Sequence, residues 1–229
     1  MSLTKLAIEK LKQNSIKEAR RDFSQAIKLL GKSEAGHFAE SELDEARFGK
    51  ALTSYYMGNY EDAISEAMSC LNDFQSRNLM LPHLSTLQIL VELYIELEKY
   101  DMAYAFVNEA ADVLARNEIP QMRILFAFYK VILLARQQLL EQATQTLDVA
   151  EREFFEDIDY YVPDGLAETK AEMALAKKNA EQALEFFEQA IETNTGCLYH
   201  KMMYTHRASL IPGLSQPKAE TYHARAVEL

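Results

Sequence analysis

Asn59-Tyr60-Glu61-Asp62-Ala63 is the phrase on which the fold turns, because it returns three times at a fixed interval. Lys99-Tyr100-Asp101-Met102-Ala103, Leu139-Leu140-Glu141-Gln142-Ala143 and Asn179-Ala180-Glu181-Gln182-Ala183 follow at steps of 40 residues without a slip. Each copy sets down an apolar residue, then an acid, then an alanine three places after the apolar one. Seven residues beyond the alanines stand Cys70, Ala110, Ala150 and Ala190, all small, and Val107, Leu147 and Phe187 fall between. A period of this length marks an architecture of stacked helical hairpins.

The chemistry of the phrase explains its form. An acid in the first turn of a helix complements the partial positive charge of the exposed amides. Small residues seven apart share one helix face and let a partner helix approach closely, while the larger residue between them fills the remaining gap. Upstream of the four phrases run amphipathic segments at 46–57, 84–97, 124–137 and 166–177, so each copy reads helix, tight turn, helix. Pro82, Pro120 and Pro163 fall between copies, where a proline fits the first turn of the next helix without removing a needed hydrogen bond. Ile16, Ala19, Phe23 and Ala26 repeat the phrase at a wider spacing of 44, and Ala219, His223 and Ala226 echo it weakly.

Composition agrees with helices. Of 229 residues only 7 are glycine and 5 proline, fewer turn residues than a β-rich chain of this size needs. The formal net charge of −11 repels phosphate backbones and anionic lipid, which argues against nucleic acid and membrane as partners. The first 32 residues run the other way, with Lys5, Lys10, Lys12, Lys17, Arg20, Arg21, Lys28 and Lys32. Acids at helical spacing, such as Glu9 and Glu18, make this a solvated helix face. Cys70 and Cys197 have no metal or redox spacing and read as small buried hydrophobes. No apolar run reaches the roughly 18 residues that span a bilayer, and no secretory signal opens the chain. The expected compartment is the cytoplasm.

The motifs that announce catalysis are missing: no Gly-rich phosphate loop, no GxSxG, no HExxH. His200 and His206 stand too far around a helix to share a metal. Glu151, Glu153, Glu156, Asp157, Asp159 and Asp164 surround Phe154, Phe155, Tyr160 and Tyr161 without a calcium-loop spacing. This run reads as a helix end with solvated acids, with part of a partner site as the alternative. No catalytic residue, cofactor or metal is expected.

The phrase resembles the tetratricopeptide repeat family, in which a Gly-x-Tyr step joins two helices and the second carries alanines seven apart. Gly58-Asn59-Tyr60, Ala63 and Cys70 match in one copy, and Ala183, Phe187 and Ala190 in another. The resemblance implies an all-α, right-handed α-α superhelix of about six helix pairs in a single domain, near 2–36, 37–78, 79–118, 119–158, 159–195 and 196–229. It departs from the family in lacking tryptophan and in its period, which exceeds the usual one of about 34 residues. The helices are therefore expected to be about a turn longer. Long repeats of this kind resemble the sensor regions of bacterial regulators.

In this family the first helices line a concave face. The resemblance places Phe48, Tyr55, Tyr56, Gln88, Glu92, Phe128, Arg136 and Glu172 there, beside Leu52, Ile95, Glu96, Ile132, Ala135, Glu168, Leu175 and Ala176. Aromatic anchors among carboxylates suit a protein or peptide with apolar and basic side chains. The competing reading is that Phe48, Phe128 and the tyrosines close the hairpins as core. The expected function is a non-catalytic scaffold. The alternative is a ligand-responsive regulatory domain whose cyclase, kinase or DNA-binding output module lies elsewhere, since the helical pattern at 223–229 ends without a stop signal. A homodimer is left open.

Overall fold

The computed structural model describes residues 2–31, 37–156, 163–194 and 198–228. Among the described residues lie twelve α-helices and no strand. They are α1 (Leu3–Lys12), α2 (Ile16–Leu30), α3 (His37–Tyr56), α4 (Tyr60–Ser76), α5 (Met80–Glu96) and α6 (Tyr100–Leu114). There follow α7 (Pro120–Arg136), α8 (Leu140–Glu156), α9 (Pro163–Ala176), α10 (Ala180–Thr193), α11 (Leu198–Ser209) and α12 (Gln216–Glu228). The chain forms two compact units, Met1–Phe106 and Val107–Leu229, whose boundary falls inside α6.

One backbone device makes the repeat. Gly58, Glu98, Gln138 and Lys178 occupy the same place in successive turns, and all four are left-handed, with φ of 74°, 56°, 62° and 59°. At each, the left-handed residue donates its amide to the carbonyl three back, as Glu98 does to Ile95. The next residue donates five back, as Lys99 does to Tyr94. This paired closure satisfies carbonyls that a helix end leaves open, and it reverses the chain in one step. Asn14 and Asn78 perform the same turn after α1 and α4.

The small residues of the phrase then sit at the helix crossings. Ala63, Ala103, Ala143 and Ala183 are all fully buried, and Cys70, Ala110, Ala150 and Ala190 are exposed by no more than 4%. Ala19, Phe23 and Ala26 are buried in the same way, packed with Ala7 and Ala46. A close approach occurs at Gly49 on α3, where an added Cβ would lie 2.4 Å from the Phe23 ring of α2. The C-terminal echo is weaker: Ala226 is buried but His223 is exposed.

The first helices begin earlier than the apolar pattern suggested, because Met80, Pro120 and Pro163 already lie in their first turns. Helices α4, α5, α7 and α8 each run to 17 residues. In the first unit α1 packs on α2, α2 on α3, α3 on α4 and α4 on α5; in the second α7 packs on both α8 and α9, α9 on α10, α10 on α11 and α11 on α12. Among the N-terminal cations, Lys10 pairs with buried Asp22, Lys12 with Glu9 at 2.9 Å, and Arg20 with Glu66 at 3.2 Å. Lys32, Asp157, Asp159, Tyr160, Tyr161 and Cys197 lie outside the described residues, as do the side chains of Phe154, Phe155 and Glu156.

Candidate partner-binding groove

Along α3 the residues Ser41, Asp44, Glu45 and Phe48 recur at three- and four-residue intervals and so share one face. The start of α5 presents Leu81, Pro82 and Ser85 opposite them, and the end of α4 with its turn supplies Phe74, Arg77 and Leu79. Together they enclose a half-open groove of about 500 Å³. Phe74 is buried beneath it, Phe48 is half-buried on its wall, and Leu81 stands 56% exposed at its lip. Three carboxylates, Glu40, Asp44 and Glu45, line it against a single guanidinium. That guanidinium is committed: Arg77 donates to Asp44 at 2.8 Å and to Asp73 at 3.0 Å, and these bonds push its pKa still higher.

The sequence-derived site residues divide between the two units. In the first, only Phe48 reaches the groove. Tyr56 lines a separate hollow of about 430 Å³ with Asn14, Lys17 and Met57. Gln88 donates to Glu92 at 3.0 Å along α5. Tyr55 is 3% exposed, with its ring packed against those of Tyr56 and Tyr60 at 5.7 and 6.2 Å across the hairpin.

In the second unit two of the sequence-derived residues, Phe128 and Glu172, are buried. Phe128 is 2% exposed and packs with Ile124, Ala150 and Leu166. Glu172 on α9 is buried and accepts two bonds from Arg136 on α7, at 3.0 and 2.9 Å. Arg207 on α11 bonds Glu168 and comes within 3.8 Å of Glu172. Burial alone would raise the Glu172 pKa, but the charge and hydrogen bonds of Arg136, with the charge of Arg207, hold it below the ordinary carboxylate value. Phe128 is thus enclosed by apolar neighbours, and both carboxylates of the seam are engaged by arginines.

The polar cluster of the first unit is built by the same logic on different helices. Glu66 of α4 accepts from Arg20 of α2 and from Ser54 and lies 2.7 Å from Lys50 of α3. Burial pushes its pKa up, but Lys50, Ser54 and Arg20 outweigh it and bring it below the usual value. The buried Cys70 thiol is pushed up to about 11, chiefly by desolvation, which leaves it a poor nucleophile. Among the described residues no three His, Cys, Asp or Glu side chains gather to hold a metal ion. Among those residues, too, no helix is long and apolar enough to cross a membrane.

These features define an all-α protein of repeated helical hairpins. No family model matches the chain. No curated protein matches it either. Among solved structures it is similar to the crystal structure of BtubC (BKLC) from P. vanneervenii, with a TM-score of 0.55 over 94% of this chain and 89% of that one. The two sequences are 16% identical, so the likeness is one of fold alone.

Sequence reasoning missed Asp44, Glu45, Arg77, Leu79, Leu81 and Pro82. A signal was present in the period. Ile124, Phe128, Ala150 and Leu166 lie 80 residues beyond Asp44, Phe48, Cys70 and Thr86. Two of the four positions are thus polar in the earlier copy, where a sealed core would need hydrocarbon.

Proposed function

We propose that this chain is a non-catalytic scaffold of tetratricopeptide-like hairpins, acting in the cytoplasm, that binds a protein or peptide bearing apolar and basic side chains. The observation that carries the reading is the half-open groove beside α3, an apolar surface under a surplus of carboxylates on a rigid hairpin framework. Hairpin repeats stack because no single pair can bury its own apolar face, and the surfaces left over are the ones available to partners. The left-handed step at Gly58, Glu98, Gln138 and Lys178 supports the tetratricopeptide-like assignment, since it falls at the Gly-x-Tyr register in all four copies.

The test is capture of partners by the purified chain, identification by mass spectrometry, and reconstitution of each complex from pure components by calorimetry. A saturable one-to-one complex supports the reading, with Glu109→Lys on the second helix α6 as a control expected to bind normally. Failure of every captured protein to bind when purified would overturn it.

A further inference from the structure

We infer that the groove between α3 and α5 seats a short partner segment that places one apolar side chain against Phe48, Leu79 and Leu81 and an adjacent lysine or arginine beside Asp44 and Glu45. This rests on the scaffold reading and gives it a particular place and a particular ligand chemistry.

Two observations meet there. Leu81 is 56% exposed at the lip while Phe48 is half-buried on the wall, so an entering hydrocarbon would gain cover from both sides. Desolvating such a pocket is the usual source of affinity at a partner's anchor residue. The second observation is charge. The lining holds three carboxylates and one guanidinium, and that guanidinium is divided between Asp44 and Asp73, with Arg47 also 3.5 Å from Asp73. Glu45 lies exposed on the solvent side. A cation brought beside it is attracted, whereas an acidic segment is repelled by the groove and by the chain as a whole, whose formal charge is −11. The volume of about 500 Å³ suits one or two side chains and not a folded domain.

The experiment selects binders from a random-peptide display library on the intact chain. Selected peptides are then synthesised and titrated against the wild type and the Glu45→Lys/Leu81→Ser double variant, once circular dichroism shows equal helicity. Both changes sit at solvent-facing positions. The expected peptides carry a Leu, Ile, Phe or Met within two residues of a Lys or Arg. Their Kd should weaken at least tenfold in the double variant and at least threefold when salt rises from about 50 to 300 mM. The chain contains no tryptophan, so a Phe48→Trp variant carries a single indole, excited selectively over the tyrosines, whose emission should shift on adding the basic peptide and stay unchanged with its Glu-substituted twin. Peptides that bind the double variant within twofold of the wild type overturn the groove assignment and leave the scaffold reading standing. Selection of acidic or uncharged peptides overturns the ligand chemistry. A library that yields no binder at all overturns both.

Discussion

The helix pair α3 and α5 and the helix pair α7 and α9 occupy the same registers of the repeat, yet one stands open and the other is sealed. Across α7 and α9, Phe128 closes on Ile124, Ala150 and Leu166, and Arg136 reaches over to clamp Glu172. At α3 and α5 the matching residues are Asp44 for Ile124 and Thr86 for Leu166. Asp44 turns to Arg77 instead of to Phe48, and the Thr86 hydroxyl is spent on the Pro82 carbonyl at 2.8 Å. Without an apolar partner at positions 44 and 86, Phe48 is left half-covered beside a hollow. Two polar residues in a four-residue contact thus separate a core from a groove. In this chain the groove lies where the apolar set of a repeat is incomplete.

The largest test compares the two phenylalanines directly. Phe128→Ala should cost about 3–5 kcal/mol, the usual loss for an aromatic deleted from a packed core. Phe48→Ala should cost about half as much, because much of that ring already faces the groove. Urea denaturation of both variants measures the gap, and equal losses would erase the distinction between the two regions.

The second test breaks the clamp. Glu172→Ala leaves Arg136 facing a buried void and should cost about 3 kcal/mol. The pH dependence has a definite sign. The pKa values of Glu172 and Glu66 lie below the ordinary 4.5 in the folded chain, so their stabilisation is complete above that value. It is lost as pH falls from 4.5 through the lowered folded values. Thermal midpoints should therefore drop below pH 4.5, less steeply in Glu172→Gln than in the wild type.

Ala103→Leu probes a crossing that both readings of the repeat require to be tight. Ala103 is fully buried, so the added branch overpacks the contact and should cost about 1–3 kcal/mol. An unchanged denaturation midpoint would mean that this helix face has room to spare.

The smallest effect is at the turns. Gly58 adopts its left-handed conformation without strain, whereas Glu98, Gln138 and Lys178 each hold it against the Cβ clash, at about 1 kcal/mol. Part of that returns as chain entropy when glycine is substituted, so Glu98→Gly or Lys178→Gly should stabilise by about 0.5 kcal/mol. Gly58→Ala should destabilise by about 1 kcal/mol. A loss of stability in Glu98→Gly would show that side-chain contacts, not backbone strain, govern that turn.

The amino-acid sequence by itself determined the hairpins, their 40-residue period and the burial of Ala63, Ala103, Ala143 and Ala183. These depend on local chemistry: small residues at helical spacing, an acid in a first turn, a proline between copies. It did not reveal which aromatic on a first helix would be core. Tyr55 and Phe48 lie seven apart on α3 and looked equivalent, yet Tyr55 meets Tyr60 across its own hairpin while Phe48 faces Asp44 and an open lip. Nor did it distinguish the carboxylates. Glu172, placed on the concave face, is committed to Arg136, 36 positions earlier in the chain, whereas Glu45, which the sequence reading passed over, faces water. Such choices depend on which residue arrives opposite from another helix, and only the packed tertiary structure brings those partners together.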